Sequence, residues 1–229
     1  MDAAVLDTDL PLAEQAYRQL RQAIVRCEFA PGERLRVEDL GKRFDISSSP
    51  IREALCRLSE QGLVRALDKR GFRVAPLTTE GIADLTRVRL LIECEALRDS
   101  ITHGGDPWES AVVAAAHALS LVEQRLGDEP VALDNHWSAR HRAFHLALYA
   151  GCSSPLLLDM VQSLFDSAER YRRYSASHRQ RERGKNDEHN AIMKHVIARN
   201  TEAAVELLRR HILATQTSVT QALSAIARA

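Results

Sequence analysis

Residues 47–55, Ser47-Ser48-Ser49-Pro50-Ile51-Arg52-Glu53-Ala54-Leu55, followed by Leu63-Val64 and by Lys69-Arg70-Gly71, decide how the first third of this chain folds. Ser49 is placed to cap a helix by accepting from its first free amides, and Pro50 suits the first helical position, where no amide partner is needed. Ile51, Leu55 and Leu58 recur at helical spacing and turn inward, leaving Arg52 on the outer face beside the hydroxyls of Ser47 and Ser48. A helix with such a polar N-terminal face suits a DNA major groove. Upstream, Ala16, Leu20, Ala23 and Ile24 share one face of a segment from Leu12 to Cys27, which Pro31-Gly32 ends. Val37, Leu40 and Phe44 mark a short second helix, and Asp45-Ile46-Ser47 makes the turn. Residues 63–75 alternate as a two-stranded hairpin turning at Asp68-Lys69-Arg70-Gly71. A serine-proline helix start is common in helical proteins. The ordered set of helix, turn, helix and basic hairpin is what predicts a winged helix-turn-helix.

Composition fits a DNA-binding head on a neutral body. The 229 residues carry no net formal charge, yet residues 11–76 hold 13 Lys and Arg against 9 Asp and Glu, an excess of four on the proposed DNA-binding part. So modest an excess favours a dimer that presents two such heads, because phosphate contacts add. A hydrophobic content of 45% supports a packed core. Cys27, Cys56, Cys94 and Cys152 form no C-x-x-C pair and read as reduced, core or half-buried thiols. No apolar run is long enough for a membrane span, and the acidic start lacks a signal peptide's basic end, so a cytoplasmic location is expected.

From Leu77 onward apolar residues recur at three and four, as in Ile82, Leu85, Val88, Ile92 and Ala96. With breaks at Gly104-Pro107, Gly127-Pro130, Gly151-Pro155, Gly184 and Asn200, six helices are predicted near 79–103, 107–126, 131–150, 154–175, 183–199 and 201–226. Residues 176–183 read as a polar loop. The fold class is therefore mainly α: an N-terminal winged helix-turn-helix (11–76) after a disordered start (1–10), then an antiparallel six-helix bundle (79–225).

Four of the nine histidines have a spacing with chemical meaning. His141 and His145 lie four residues apart, within roughly 40° on one helix face, and can chelate one ion. His189 and His211 lie 22 residues apart, enough to run down one helix and return to similar depth on the next. Four imidazoles inside a bundle would suit Zn, Ni, Cu or Fe. His103, His117, His136, His178 and His195 lack such relations and read as ordinary surface or core groups.

The tracts PGERL, DISSSPIREALCRLSEQGLV and RGFRVAPLT resemble the winged helix-turn-helix of the GntR family of bacterial regulators, over about residues 11–77. Of the DNA contacts this implies, Arg52 matches directly. Ser48 stands where the family usually has arginine, and Glu38 where a second polar or basic contact often lies. Base reading is therefore expected to draw on Arg36, Ser47, Ser48, Ser49 and Arg52, with Lys69 and Arg70 on the wing. Residues 79–225 resemble the all-helical FCD ligand-binding domain of the FadR subfamily: Arg89 to Glu93 match its R-x-x-L-E, Phe144-His145 its D-x-x-F-H, Glu188-His189 its E-H and Ala203 to His211 its closing segment. That resemblance implies a divalent metal held by an aspartate and three histidines, here His145, His189 and His211, with His141 in the aspartate's place. The exchange makes the site softer and one charge more positive, favouring Zn, with Ni as the alternative, over Mg or Ca.

The wider tract HRAFHLALYAGCSSPLLL…SAERYRRYS is similar to a subgroup of carbon-starvation-induced repressors that answer to glutarate. It implies a small carboxylate effector, a dicarboxylate such as glutarate, with Arg89 first and Arg170 second as distal partner and Tyr171 beside them, since a guanidinium matches a carboxylate bidentately. At least one of Arg172 and Arg173 is expected on a solvated face. The reading is a homodimeric repressor, not an enzyme, that binds a pseudo-palindromic double-stranded operator and releases it on binding effector. Its alternatives are a metal-sensing repressor with no organic effector, and a histidine-metal enzyme, against which the absence of an H-E-x-x-H arrangement counts.

Overall fold

The computed structural model describes residues 10–68, 70–126, 134–177, 187–226 and 228. They form two compact units, residues 1–77 and 78–229. The expected disorder of residues 1–10 falls almost wholly outside the described residues, as do Lys69, His178 and most of the 176–183 loop.

The first unit is built from α1 (Leu12–Val25), β1 (Arg34–Leu35), α2 (Val37–Phe44), α3 (Ser48–Glu60), β2 (Val64–Leu67) and β3 (Gly71–Val74). Ala16, Leu20, Ala23 and Ile24 of α1 pack with Leu40, Ile46, Ile51, Ala54, Leu55 and Leu58 in one apolar cluster. The turn between α2 and α3 is fixed by backbone needs. Asp45 closes α2 in the left-handed region (φ 54°), which aspartate tolerates better than most residues. Gly41 must be glycine, because a Cβ there would meet the Ile46 carbonyl oxygen at 2.9 Å.

Two expectations are corrected here. The cap of α3 is Ser47 and not Ser49, so Pro50 falls at the third helical position. The first-turn amides have no partner within the helix, so proline costs no hydrogen bond at either place and cannot mark which serine caps. The wing holds three strands, not two: β1 pairs with β3, and the sheet order is β1-β3-β2. Two residues are too few for alternation to reveal.

The second unit contains α4 (Thr79–His103), α5 (Asp106–Leu126), α6 (Asn135–Tyr149), α7 (Pro155–Ala176), α8 (Asp187–Ile197) and α9 (Thr201–Ile226). Three of its starts are capped by side chains, and α6 opens at Asn135 rather than near 131. Thr78 accepts from the Gly81 amide, Asp134 from Trp137 and Ser154 from Leu157, with Pro155 opening α7. One continuous core runs from Leu97 and Ile101 on α4 through Trp108 and Leu119 on α5 and Phe144 on α6 to Leu208 and Ile212 on α9. Arg199, with a left-handed backbone, ties the end of α8 to Glu109 at 2.5 Å and to the Gly104 carbonyl at 2.6 Å. Among the described residues no helix is long and apolar enough to cross a membrane.

Candidate metal centre and nucleic-acid face

Helix α6 presents His141 and His145 one turn apart, α8 brings His189 near its start, and α9 returns His211 to the same depth. All four are buried, and one ligand atom from each lies within 4.8 Å of the other three. Four nitrogens at about 2.0–2.1 Å from a tetrahedral ion stand roughly 3.4 Å apart, so the set needs only a small contraction to close on one. The rings pack against one another: His141 and His145 have centroids 4.5 Å apart, and His189 and His211 5.0 Å.

The hydrogen bonding of these rings points to a missing partner. His141 Nδ1 and both ring nitrogens of His145 and of His189 are buried with no hydrogen-bond partner. Buried polar atoms are almost always paired, and orphans on three of the four rings fit a metal, which takes one nitrogen from each, better than a packed histidine cluster. Burial, and then the charge of neighbouring histidines and arginines, holds the His141 and His145 pKa values well below the ordinary imidazole value. The free base, which is the ligating form, is therefore the stable one. His211 Nδ1 lies 2.8 Å from a Glu188 carboxylate oxygen. A carboxylate accepts, so Nδ1 donates and Nε2 keeps its lone pair for a metal.

Beside the histidines lies a buried band of charge. Arg89 makes a two-armed pair with Glu93, at 2.5 and 3.1 Å, and Tyr149 donates to the same carboxylate at 2.9 Å. The distal partner expected for a carboxylate is thus already engaged, and a ligand reaching Arg89 would compete with Glu93. Arg172 and Arg173 correct the sequence expectation, since both are buried and share Glu169. The Arg172 guanidinium also lies 4.6 Å from the centroid of Phe165, whose ring is 5.6 and 5.7 Å from His141 and His145. In these contacts three guanidinium groups share two carboxylates. Burial and the nearby Arg89 charge lower the Arg172 pKa, though Glu169 opposes them. Arg170 is buried, and the Tyr171 hydroxyl accepts from the Thr78 amide at 3.4 Å, which sets Tyr171 at the first turn of α4.

In the first unit Arg36, Ser47, Ser48, Ser49, Arg52 and Arg70 are all exposed. The sheet adds a feature that sequence reading missed. Arg34 is opposite Arg73, and Arg73 opposite Arg65, so three exposed arginines stand abreast across β1, β3 and β2. Like charges directly opposite one another on a sheet destabilise it unless an anion lies over them. Without β1 in view nothing in the sequence aligns them. Of the cysteines, Cys56 departs from expectation by lying exposed on α3.

Comparison with known proteins gives the family. Residues 12–74 match the family model for bacterial regulatory proteins of the gntR family, and residues 84–214 match the FCD domain. An uncharacterized HTH-type transcriptional regulator, BphR of Paraburkholderia xenovorans, is 40% identical over 201 residues, covering 88% of this chain and 82% of the relative. The HTH-type transcriptional repressor GlaR of Escherichia coli is 38% identical over 212 residues, covering 91% and 96%. The crystal structure of a GntR-family regulator from Pseudomonas syringae, 29% identical, covers 98% of this chain and 93% of its own, with a TM-score of 0.56. McbR/YncC of E. coli shares the fold, with a TM-score of 0.76 at 18% identity over 93% and 98% of the chains. Both sequence relatives and the Pseudomonas protein are named as transcriptional regulators, and the reading as a histidine-metal enzyme falls away.

Proposed function

This chain belongs to the GntR family of bacterial transcriptional regulators and carries an FCD domain, and on that premise we propose that it is a homodimeric, metal-loaded repressor whose operator binding is relieved by a small dicarboxylate. The observation that carries the ligand-binding half is the histidine quartet, with ligand atoms within 4.8 Å and five unpartnered ring nitrogens. Zinc suits the all-imidazole set best, with nickel second. Bound there, it would supply a Lewis-acidic centre that an effector carboxylate would join as a fifth ligand. Three guanidinium groups sharing two carboxylates leave local positive charge for the acid's other end. The candidates for that end are Arg89, Arg170 and Arg172, with Tyr171 behind them. The likeness to the repressor GlaR supports repression as the sign of control.

Operator contact is assigned to the exposed Arg36, Ser47, Ser48, Ser49, Arg52 and Arg70, together with Lys69 and the Arg34-Arg73-Arg65 row. For self-association, α4 exposes Val88 and Leu91 and α7 exposes Leu156 and Met160. Contacts of Thr78 with Tyr171 and of Ser153 with Asp99 run these helices antiparallel and bring Leu91 and Met160 to similar height. Exposed apolar side chains on two neighbouring helices suit a two-fold interface.

The test is selection of a randomised duplex pool on the full-length protein, then gel shift of the enriched sequence with zinc and glutarate added singly and together. The expected result is a two-fold-symmetric site that is released only when both are present. Release by zinc alone would replace this reading with a metal sensor. Failure to enrich any duplex would overturn the DNA-binding assignment.

A further inference from the structure

The zinc site proposed above, on which this inference rests, has four neutral imidazoles and no anionic ligand. A divalent ion there keeps its whole double charge in a buried place, which is costly unless carboxylates stand near. Glu188, on His211, is one such carboxylate. Glu123 on α5 is the other, and nothing in its sequence position marks it. Its side chain is only 14% exposed, and one carboxylate oxygen lies 3.5 Å from His189 Nδ1. The same oxygen accepts from the Trp137 indole nitrogen at 3.3 Å. Trp137 in turn stacks on His141, with centroids 4.5 Å apart and planes 16° from parallel. Glu123 thus reaches the quartet twice: directly on α8, and on α6 through an indole lying flat against a second histidine.

Neither contact gives Glu123 a full cation. Among the described residues it has no lysine or arginine partner. The His189 contact is at ion-pair distance but is not an aligned hydrogen bond, since both ring nitrogens of His189 lack a partner. Once one nitrogen is engaged by an ion, the other must carry the proton, and Glu123 is the acceptor waiting beside Nδ1.

We propose that Glu123 is a positioning residue for the metal: its carboxylate accepts a hydrogen bond from the Nδ1–H of His189, turns Nε2 toward the ion, and supplies from α5 the negative charge that the ligand set lacks. Trp137 is the strut that aims it. The carboxylate that a His-only set gives up among its ligands is thus returned one layer out.

The experiment uses the full chain, loaded with zinc and titrated against a competing chelator, and loaded with cobalt for its visible spectrum. Glu123→Gln keeps the shape and removes the charge. It is expected to weaken zinc affinity by about 10–100-fold, the usual cost of losing a carboxylate behind a ligating histidine, to shift the cobalt band, and to leave the melting temperature of the metal-free protein unchanged. Trp137→Phe keeps a ring on His141 without the indole donor and should weaken zinc in the same direction by less. If either variant melts early when metal-free, the other carries the test. Wild-type affinity and an unshifted cobalt band in both would overturn the inference while leaving the zinc site standing. A wild-type protein that takes up no zinc would overturn the site and this inference together.

Discussion

In the winged helix-turn-helix the side chains assigned to function stand in water. Arg36, Ser47, Ser48, Arg52 and Arg70 are exposed above an apolar core that contains none of them. In the helical bundle the order is reversed: the four histidines, Arg89, Arg172, Arg173, Glu93 and Glu169 all lie inside, each at 8% exposure or less. A charged group in water can wait for its partner, whereas a buried one must be paired or ligated within the fold. The head is therefore made to meet a partner that brings its own charges, the phosphates of a duplex. On the proposed function, the bundle is made around a metal and a small acid that the chain itself does not supply.

The contrast fails first, if it fails, at the buried pairs. Arg89→Met leaves Glu93 enclosed with Tyr149 as its hydrogen-bond partner and only the more distant Arg172 charge to offset it, and should destabilise the protein by about 3–5 kcal/mol, the range for breaking a buried ion pair from one side. Urea unfolding measures it, and a loss below about 1 kcal/mol would mean that water reaches this band and that the two halves are not so different.

Protons test the same interior next. Folded His141 and His145 resist protonation well below the ordinary value of 6.5, while the same rings in the unfolded chain take up protons as pH falls through it. The unfolded state then binds more protons than the folded one, so metal-free protein should lose stability as pH drops below about 6.5 and gain nothing from these rings above it. Urea midpoints that hold steady or rise on acidification from about pH 7 to about pH 5 would contradict the burial of neutral rings.

On the exposed side the effects should reach binding and spare stability. Arg52→Ala should lower affinity for the selected operator by about 10–100-fold, the worth of one base-reading contact, with no change in the unfolding midpoint. A shifted midpoint would move Arg52 into the structural class that marks the bundle. Smallest of all, Arg65→Ala and Arg70→Ala should each reduce the slope of log affinity against log salt by about one. A slope unchanged in both would take the wing and its arginine row off the phosphates.

Particular residues show how much of this could be read in advance. The two histidine pairs were legible because an i, i+4 spacing and a 22-residue antiparallel return follow from helix geometry, and the family resemblance is what joined them into one site. Element starts were legible where a hydroxyl residue stood at the edge of a break, as at Thr78 and at Ser154 before Pro155. Where three serines stood together the cap slipped by two positions, since nothing local tells Ser47 from Ser49. Arg172 and Arg173 misled for a physical reason: neighbours on a helix point about 100° apart, so one should reach solvent. Glu169 lies three residues before one and four before the other, and it holds both inside. Glu123 and the arginine row were beyond sequence reading, because each depends on which elements become neighbours in space and not on spacing along the chain.

Whether the interior quartet holds a metal is decided by its zinc content. Elemental analysis of the full chain, dialysed free of loose zinc, addresses it directly, alongside His145→Ala and His189→Ala. The account predicts one zinc bound per wild-type chain and none retained in either variant, because a buried set that loses one imidazole leaves a gap that water fills poorly. Full occupancy in either variant, or none in the wild type, would contradict it.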